Sequence, residues 1–164
     1  MSGEFDDLLA ANRRYATQAP RNFDGIAHAG IAVVTCMDSR LQPLEMLGLH
    51  VGEAKILRTP GGRVTPDALV GCILGVHLLH VDRILVIAHT RCAMASGSDA
   101  EIRERILAAT GTDLGDLQIG ATADQEPALA ADVEILRAHP ALAGKATVAG
   151  FLYDVDSGLL RELV

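Results

Sequence analysis

The chain has 164 residues, of which 49% are hydrophobic, and it carries a formal net charge of −7 at pH 7. This composition predicts one globular domain over 1–164 and no membrane partner, because no apolar run approaches the roughly 20 residues that cross a bilayer. The acidic balance and the scarcity of aromatic residues also argue against a nucleic-acid partner, which requires clustered cations or stacking surfaces.

The N-terminal stretch is acidic and then amphipathic. Its first residues, MSGEFDDLL, lack the basic and then apolar build of a signal peptide, so a cytoplasmic location is expected. Residues 4–16 predict a helix that places Phe5, Leu8 and Leu9 on one face.

The remaining chain alternates apolar strands with helices. Continuous β-branched runs such as IAVVTC and RILVIAH are typical of strands buried on both faces of a sheet. Strands alternating with helices predict an α/β fold with a mainly parallel sheet of about four strands plus a short edge strand, flanked by helices. The pattern predicts strands at 31–36, 54–59, 83–89 and 147–155, and an edge strand or tail at 159–164. It predicts helices at 43–49, from Pro66 to about His80, at 98–110 and at 124–139. Thr65 is the expected cap of the second of these helices, and the third is capped by Ser98 or Asp99 and stopped by Gly111.

Two of the predicted strands end in possible metal ligands. Cys36 ends the first strand, His89 ends the third, and Cys92 follows three residues later. Parallel strands present their carboxyl ends at one edge of the sheet, so these side chains are expected to meet. Two thiolates and one imidazole make a three-ligand zinc site with one open position, where water becomes acidic and nucleophilic. Simple burial accounts equally well for each residue taken alone, and it is the preferred interpretation of Cys72 in mid-helix.

A carboxylate and a guanidinium follow the first of these cysteines. Asp38 and Arg40 come two and four residues after Cys36, so in an extended turn all three point to one side. Beside a metal, the arginine can hold the carboxylate, and the carboxylate can orient a hydroxide on the ion. The alternative is an ordinary surface salt bridge.

The motifs CMDSR and HTRC in this order resemble those of the β-class carbonic anhydrases, in particular the compact prokaryotic type. ILRTPGGRVTPDAL resembles the Arg-Asn-Ala-Gly loop and following helix of that family, and GFLYDVDSGLL resembles its last strand and turn. The resemblance implies a zinc-dependent lyase that reversibly hydrates CO2 to bicarbonate and a proton through zinc-bound hydroxide.

The resemblance also implies a role for each matching residue. Cys36, His89 and Cys92 would bind one Zn²⁺ per chain, and Asp38 and Arg40 would form a catalytic dyad. Asp38 is moreover a conditional fourth metal ligand. The family assembles as homodimers or larger homo-oligomers with an N-terminal helix laid across the partner, which residues 1–20 fit as a helical arm.

The chain departs from the family pattern beside the site. Ala93 stands where the family usually has Gly, Thr59 replaces Asn, and Pro60 replaces Ala. A methyl group at Ala93 is expected to crowd backbone near the metal, and Pro60 stiffens its loop. The candidates for the substrate cleft are Arg58, Thr59, Gly61 and Ala93, although Arg58 has a salt bridge as its alternative.

These departures leave two alternative functions open. The same scaffold could hydrolyse a CO2-like molecule such as carbon disulfide. It could instead be a non-catalytic zinc-binding or assembly protein if the altered residues block the cleft.

Overall fold

The computed structural model describes residues 3–21 and 24–164, which form an α/β fold of the predicted class. The first two residues of the predicted arm, and residues 22 and 23 of the predicted domain, lie outside the described part. The strands are β1 (Ile31–Cys36), β2 (Ala54–Thr59), β3 (Arg83–His89), β4 (Thr147–Tyr153) and β5 (Leu160–Glu162). The helices are α1 (Asp6–Ala16), α2 (Pro43–Met46), α3 (Pro66–Leu78), α4 (Asp99–Thr110) and α5 (Gln125–Ala138), with 3₁₀ turns at Pro60–Gly62 and Ala93–Ala95.

The strands of the described residues join one sheet in the order β2-β1-β3-β4-β5. β1 pairs in parallel with β2 and β3, β3 pairs in parallel with β4, and the short β5 runs antiparallel along β4. This arrangement confirms the predicted parallel sheet with its edge strand. Because the chain leaves β1 for β2 on one side and reaches β3 on the other, the strand order reverses beside β1. Open α/β sheets bind ligands at such a crevice, beyond the carboxyl ends of the strands.

Apolar side chains cover both faces of the sheet, which explains why the central strands are continuously apolar. All six residues of β1 are buried. Successive side chains of a strand point to opposite faces, so Val34 joins the larger core beneath α3 and α5 while Val33 joins a smaller cluster on the other side. Cys72 of α3 is fully buried in the larger core, as its preferred interpretation requires.

The helix ends follow their capping residues. Thr65 precedes Pro66 and accepts a hydrogen bond from the backbone N–H of Ala68 at the start of α3. At α4, Ser98 and Glu101 form a reciprocal capping box, and Gly111 closes the helix in the left-handed conformation. Between the two predicted caps, Ser98 is therefore the N-cap.

Several predicted elements run too far, and for three of them the structure shows a local reason. α3 ends at Leu78 because His80 adopts a positive φ of 60°. α2 ends at Met46, shortly before Gly48 with a φ of 66°. β4 ends at Tyr153 because the chain then turns, and the backbone N–H of Val155 donates to the Thr90 hydroxyl.

Helix α1 has no buried residue. Its predicted apolar face is confirmed in position, yet Phe5, Leu8 and Leu9 are 66%, 60% and 51% exposed. Within a described chain whose other helices all bury side chains, this helix contributes nothing to the core. No helix of the described residues is long and apolar enough to cross a membrane.

Candidate metal centre

The structure brings Cys36, His89 and Cys92 together at the crevice beside β1. Cys36 and His89 are the last residues of the adjacent strands β1 and β3, and Cys92 lies in the turn after β3. One sulfur or nitrogen atom from each lies within 4.8 Å of the other two, and the Sγ atoms of the cysteines are 3.9 Å apart. All three residues are buried, with exposed fractions of 4%, 0% and 6%.

The imidazole of His89 is oriented with one nitrogen toward the cysteines. Nδ1 lies 2.9 Å from the backbone carbonyl of Thr90. A carbonyl oxygen only accepts, so the neutral ring carries its proton on Nδ1 and has a lone pair on Nε2. Among the described residues, Nε2 of His89 is the one buried side-chain nitrogen or oxygen atom that has no hydrogen-bond partner. Buried polar atoms are almost always paired, so this unpaired atom indicates a missing ligand.

The two thiols make the same centre attractive to a cation. One thiolate accepts a hydrogen bond from the other thiol, which lowers the pKa of Cys36 and raises that of Cys92. Burial lowers the pKa of His89, but the neighbouring Cys36 sulfur and the charge of that thiolate outweigh burial and raise it overall. A divalent cation would compensate the charge of both thiolates. Two sulfurs and one imidazole are a donor set that fits zinc.

A glycine turn closes one side of the centre. Gly62, with a φ of 72°, lies so close to the strand ends that a Cβ there would be 2.8 Å from the Ile87 carbonyl oxygen and 3.2 Å from the Cys36 nitrogen. These neighbours are backbone atoms of β1 and β3, which cannot swing away. Only glycine therefore lets the 60–62 turn lie against the crevice.

Asp38 and Arg40 form a bidentate pair beside the three ligands. Arg40 Nε donates to Asp38 Oδ1 at 2.9 Å, and Nη2 donates to Oδ2 at 2.8 Å. These charge-assisted bonds hold the pKa of Asp38 well below its usual range, so its side chain is a carboxylate. Oδ2 lies 3.9 Å from His89 Nε2. The carboxylate thus borders the centre without belonging to the group of three ligand atoms.

The four cleft candidates make different contacts in the structure. The Arg58 guanidinium donates to the carbonyls of Cys36 and Asp38. The Thr59 hydroxyl donates to the carbonyl of Arg63, four residues on, at 2.8 Å. Gly61 lines a small cavity on the α5 side, together with Arg63, Met94, Gln125 and Asp132.

Ala93 is exposed and opens the 3₁₀ turn that follows Cys92. Among the described residues, the non-glycine residues with positive φ are His80 and Arg91. Ala93 thus has a backbone conformation that does not require glycine, and whether its methyl group crowds the backbone near a bound metal stays a prediction.

Sequence reasoning missed a buried ion pair behind the centre. Arg63, directly after the glycine turn, donates from Nε at 2.6 Å and from Nη2 at 3.1 Å to the carboxylate of Asp132. Asp132 is buried on α5. The partners are 69 residues apart and neither stands in a motif, so the sequence carries no signal for this pairing.

A second missed contact supports the dyad. Arg40 Nη2 also donates to the backbone carbonyl of Arg91 at 3.1 Å. Arg91 has a positive φ of 54°, and its side chain pairs with Asp156 in the β4–β5 turn. The dyad is thereby connected to the turn between His89 and Cys92.

Known proteins resemble this chain in sequence and in fold. A family model described as carbonic anhydrase matches residues 31–112, which contain the three ligand candidates and the dyad. Beta-carbonic anhydrase 1 of Mycobacterium tuberculosis is 30% identical to this chain, over 96% of each protein. The chain belongs to the β-carbonic anhydrase family. This confirms the resemblance inferred from CMDSR and HTRC.

Two further proteins are similar to this chain in structure or in sequence. The crystal structure of carbonic anhydrase from Streptococcus mutans has a TM-score of 0.89 and 33% sequence identity, covering 100% of this chain and 99% of that one. A carbon disulfide hydrolase of Acidithiobacillus thiooxidans is 30% identical, over 94% of this chain and 79% of its own length. β-Carbonic anhydrases are lyases that use zinc, and this chain has a Cys-His-Cys group that could hold the ion.

Proposed function

We propose that this protein is a zinc-dependent lyase that reversibly hydrates CO2 to bicarbonate and a proton. The observation that carries the proposal is the buried Cys36–His89–Cys92 group with an ionised carboxylate at its edge. A structural zinc site is normally closed by four protein ligands, whereas three protein ligands are typical of a catalytic site.

The three ligand candidates would hold the ion through two thiolates and His89 Nε2. Zinc held in this way supplies an open coordination position at which water is acidified and becomes a nucleophile. The Thr90 carbonyl keeps the imidazole in the orientation that exposes Nε2 to the ion.

The dyad would orient the reacting water. Arg40 donates two hydrogen bonds to Asp38 Oδ1, from Nε and from its backbone N–H, and one from Nη2 to Oδ2, while each carboxylate oxygen can accept two. Oδ2 can therefore accept one further hydrogen bond, and it lies 3.9 Å from His89 Nε2, at the edge of the ligand group that would hold the ion. A carboxylate held ionised at this point aims the O–H of the water and directs its remaining lone pair toward carbon.

Carbon disulfide is the second candidate substrate. The observation that favours it is the 30% identity to a carbon disulfide hydrolase, which equals the identity to the mycobacterial carbonic anhydrase. Both substrates are linear molecules attacked at a central carbon. The same ligands and dyad would thus serve either reaction.

A direct comparison of both substrates tests the proposal. The zinc-loaded protein is expected to accelerate CO2 hydration, measured as proton release by stopped flow, far more than carbon disulfide hydrolysis, measured as sulfide release. The protein stripped of metal by a chelator serves as the control and is expected to be inactive. Sulfide release without CO2 hydration would instead select the alternative substrate, and the absence of both reactions would favour the non-catalytic role.

We further propose that the protein works as a homodimer or a larger homo-oligomer. Helix α1 exposes Phe5, Leu8 and Leu9 and buries nothing against its own chain. Exposed apolar surface of this kind marks an interaction site, and a second copy of the chain is its proposed partner.

Light scattering combined with sedimentation is expected to give a mass of at least two chains at micromolar concentration. Leu8→Glu is expected to lower that mass, because it places a charge in the apolar face of α1. Arg14→Glu lies on the opposite side of the same helix and serves as the matched control, with the wild-type mass expected. A monomeric wild type, or equal behaviour of the two variants, would contradict an interface built on this face.

A further inference from the structure

Arg58 is joined to the segment that links the first ligand candidate to the dyad. It lies on β2, and its Nε donates to the carbonyl of Cys36 at 3.0 Å while Nη2 donates to the carbonyl of Asp38. The planar guanidinium fixes the spacing of these two carbonyls, since its donors form a rigid fork. One side chain therefore holds both ends of the segment 36–38.

The dyad itself is a local unit. Both side-chain bonds and the backbone bond from Arg40 to Asp38 span only two residues. Such a unit can move as one body without breaking any of its own hydrogen bonds. The dyad alone consequently does not determine where the Asp38 carboxylate lies relative to His89 and Cys92.

External contacts must supply that position. On one side, Arg40 Nη2 donates to the Arg91 carbonyl. On the other, the Met37 N–H donates to the Thr59 carbonyl at 3.0 Å, and Arg58 holds the flanking carbonyls. Among these contacts, Arg58 supplies the charged side chain that reaches the backbone of Asp38 itself.

We propose that Arg58 is a positioning residue, which fixes the Asp–Arg pair at a distance from the metal and thereby keeps the fourth coordination position open. Its Nε and Nη2 atoms donate to the backbone carbonyls of Cys36 and Asp38, so the side chain holds the segment 36–38. The inference rests on the proposed zinc site. It goes beyond that site because it names a residue outside the dyad that, together with Arg40, keeps Asp38 from entering it.

Cobalt substitution tests the inference without relying on turnover. Co²⁺ replaces zinc in tetrahedral sites, its thiolate charge-transfer band reports Cys ligation, and its visible bands change when an added anion such as thiocyanate takes the open position. In Arg58→Met, we expect the charge-transfer band to persist. We expect the thiocyanate response to weaken by about tenfold or more, because Asp38 moves onto the metal, and kcat for CO2 hydration to fall by roughly 10–100-fold.

A second substitution separates positioning from general damage. Adding Asp38→Asn to Arg58→Met is expected to restore the thiocyanate response, because the carboxylate that closed the position is gone. Arg58→Lys is expected to rescue the response only partly, since one ammonium cannot reproduce the fork. Lys55→Met is the matched control, because Lys55 lies on the same strand and donates to the carbonyl of Gly25, away from the centre. The control is expected to behave as wild type.

The outcomes are distinct from those that test the enzymatic reaction. A wild-type thiocyanate response in Arg58→Met would overturn the inference, and so would loss of the thiolate charge-transfer band or failure of Asp38→Asn to restore the response. If the protein bound cobalt and showed the expected spectra but hydrated no CO2, the proposed reaction would fail while the assignment of Arg58 would stand.

Discussion

Cys92→Ser is expected to remove most of the zinc from the protein, whereas Cys72→Ser is expected to keep about one zinc ion per chain. A serine hydroxyl is a poor substitute for thiolate as a zinc ligand, so the loss of affinity should exceed the roughly 100-fold that changes outside the ligand set can cause. Cys92 lies 3.9 Å from Cys36 in the ligand group, while Cys72 is fully buried in the core under the sheet.

The matched pair makes this experiment specific for the site. Both variants replace a buried thiol with a hydroxyl, so a general effect of burying a polar group would appear in both. Burial raises the pKa of Cys72 to about 12, so that thiol stays protonated and offers no anionic sulfur to a metal. In α3 a serine hydroxyl can bond to the carbonyl one turn earlier, which allows the Cys72 variant to fold. Equal zinc content of the two variants after dialysis, measured by metal analysis, would reject the ligand assignment.

The sheet could be predicted from the sequence because its central strands, β1 and most of β3, are buried on both faces. A strand such as Ile31–Cys36 has no solvent side, so its apolar run has no interruption that might be mistaken for a helical period. The errors lie at element ends. There the last residue of an element depends on the conformation of single residues such as His80, which is left-handed. A histidine does not mark a helix end in the sequence as clearly as a glycine or a proline does.

The candidate ligands could be predicted because topology places them. Residues that end adjacent parallel strands must share one edge, and Cys36 and His89 end β1 and β3. The contacts that position these groups could not be predicted. Arg58 binds backbone carbonyls, which every residue type has, so no sequence pattern marks its partners. Whether Arg58, Thr59, Gly61 and Ala93 contact substrate stays a prediction.

The altered residues beside the centre change its surroundings less than their identities suggest. Thr59 uses its hydroxyl within the loop, where it donates to the Arg63 carbonyl. Pro60 opens a 3₁₀ turn, a position that suits its fixed φ and that needs no N–H donor. The loop thus reaches the crevice through its glycines, while Thr59 and Pro60 hold it in shape.

Arg40→Ala is expected to keep its zinc and lose nearly all CO2 hydration, by at least about 100-fold in kcat. Arg40 donates two side-chain hydrogen bonds to Asp38 and one to the Arg91 carbonyl. Without them the carboxylate keeps only the bond from the backbone N–H of residue 40 to Oδ1 and loses the paired charge that orients it, although none of the three ligand candidates is changed. Stopped-flow hydration rates and metal analysis on the same samples would measure the two effects together.

In Arg40→Ala, we expect the released carboxylate of Asp38 to bind at the metal site. Asp38 Oδ2 already lies 3.9 Å from His89 Nε2, so an anionic oxygen is close to the ligand group and would compete with water for a cation held there. Arg40→Lys should recover only part of the rate, because an ammonium cannot hold both carboxylate oxygens in a planar fork. Arg161→Ala removes an exposed arginine whose surface pair with Glu126 involves neither the dyad nor the ligand candidates, and it should hydrate CO2 as the wild type does. The proposed role of Arg40 in holding Asp38 would be refuted by an Arg40→Ala protein with a full zinc content and a wild-type rate of CO2 hydration. If the Arg40→Ala variant instead lost its zinc, Arg40 would be needed to hold the metal ligands in place, and its role would not be to orient the carboxylate.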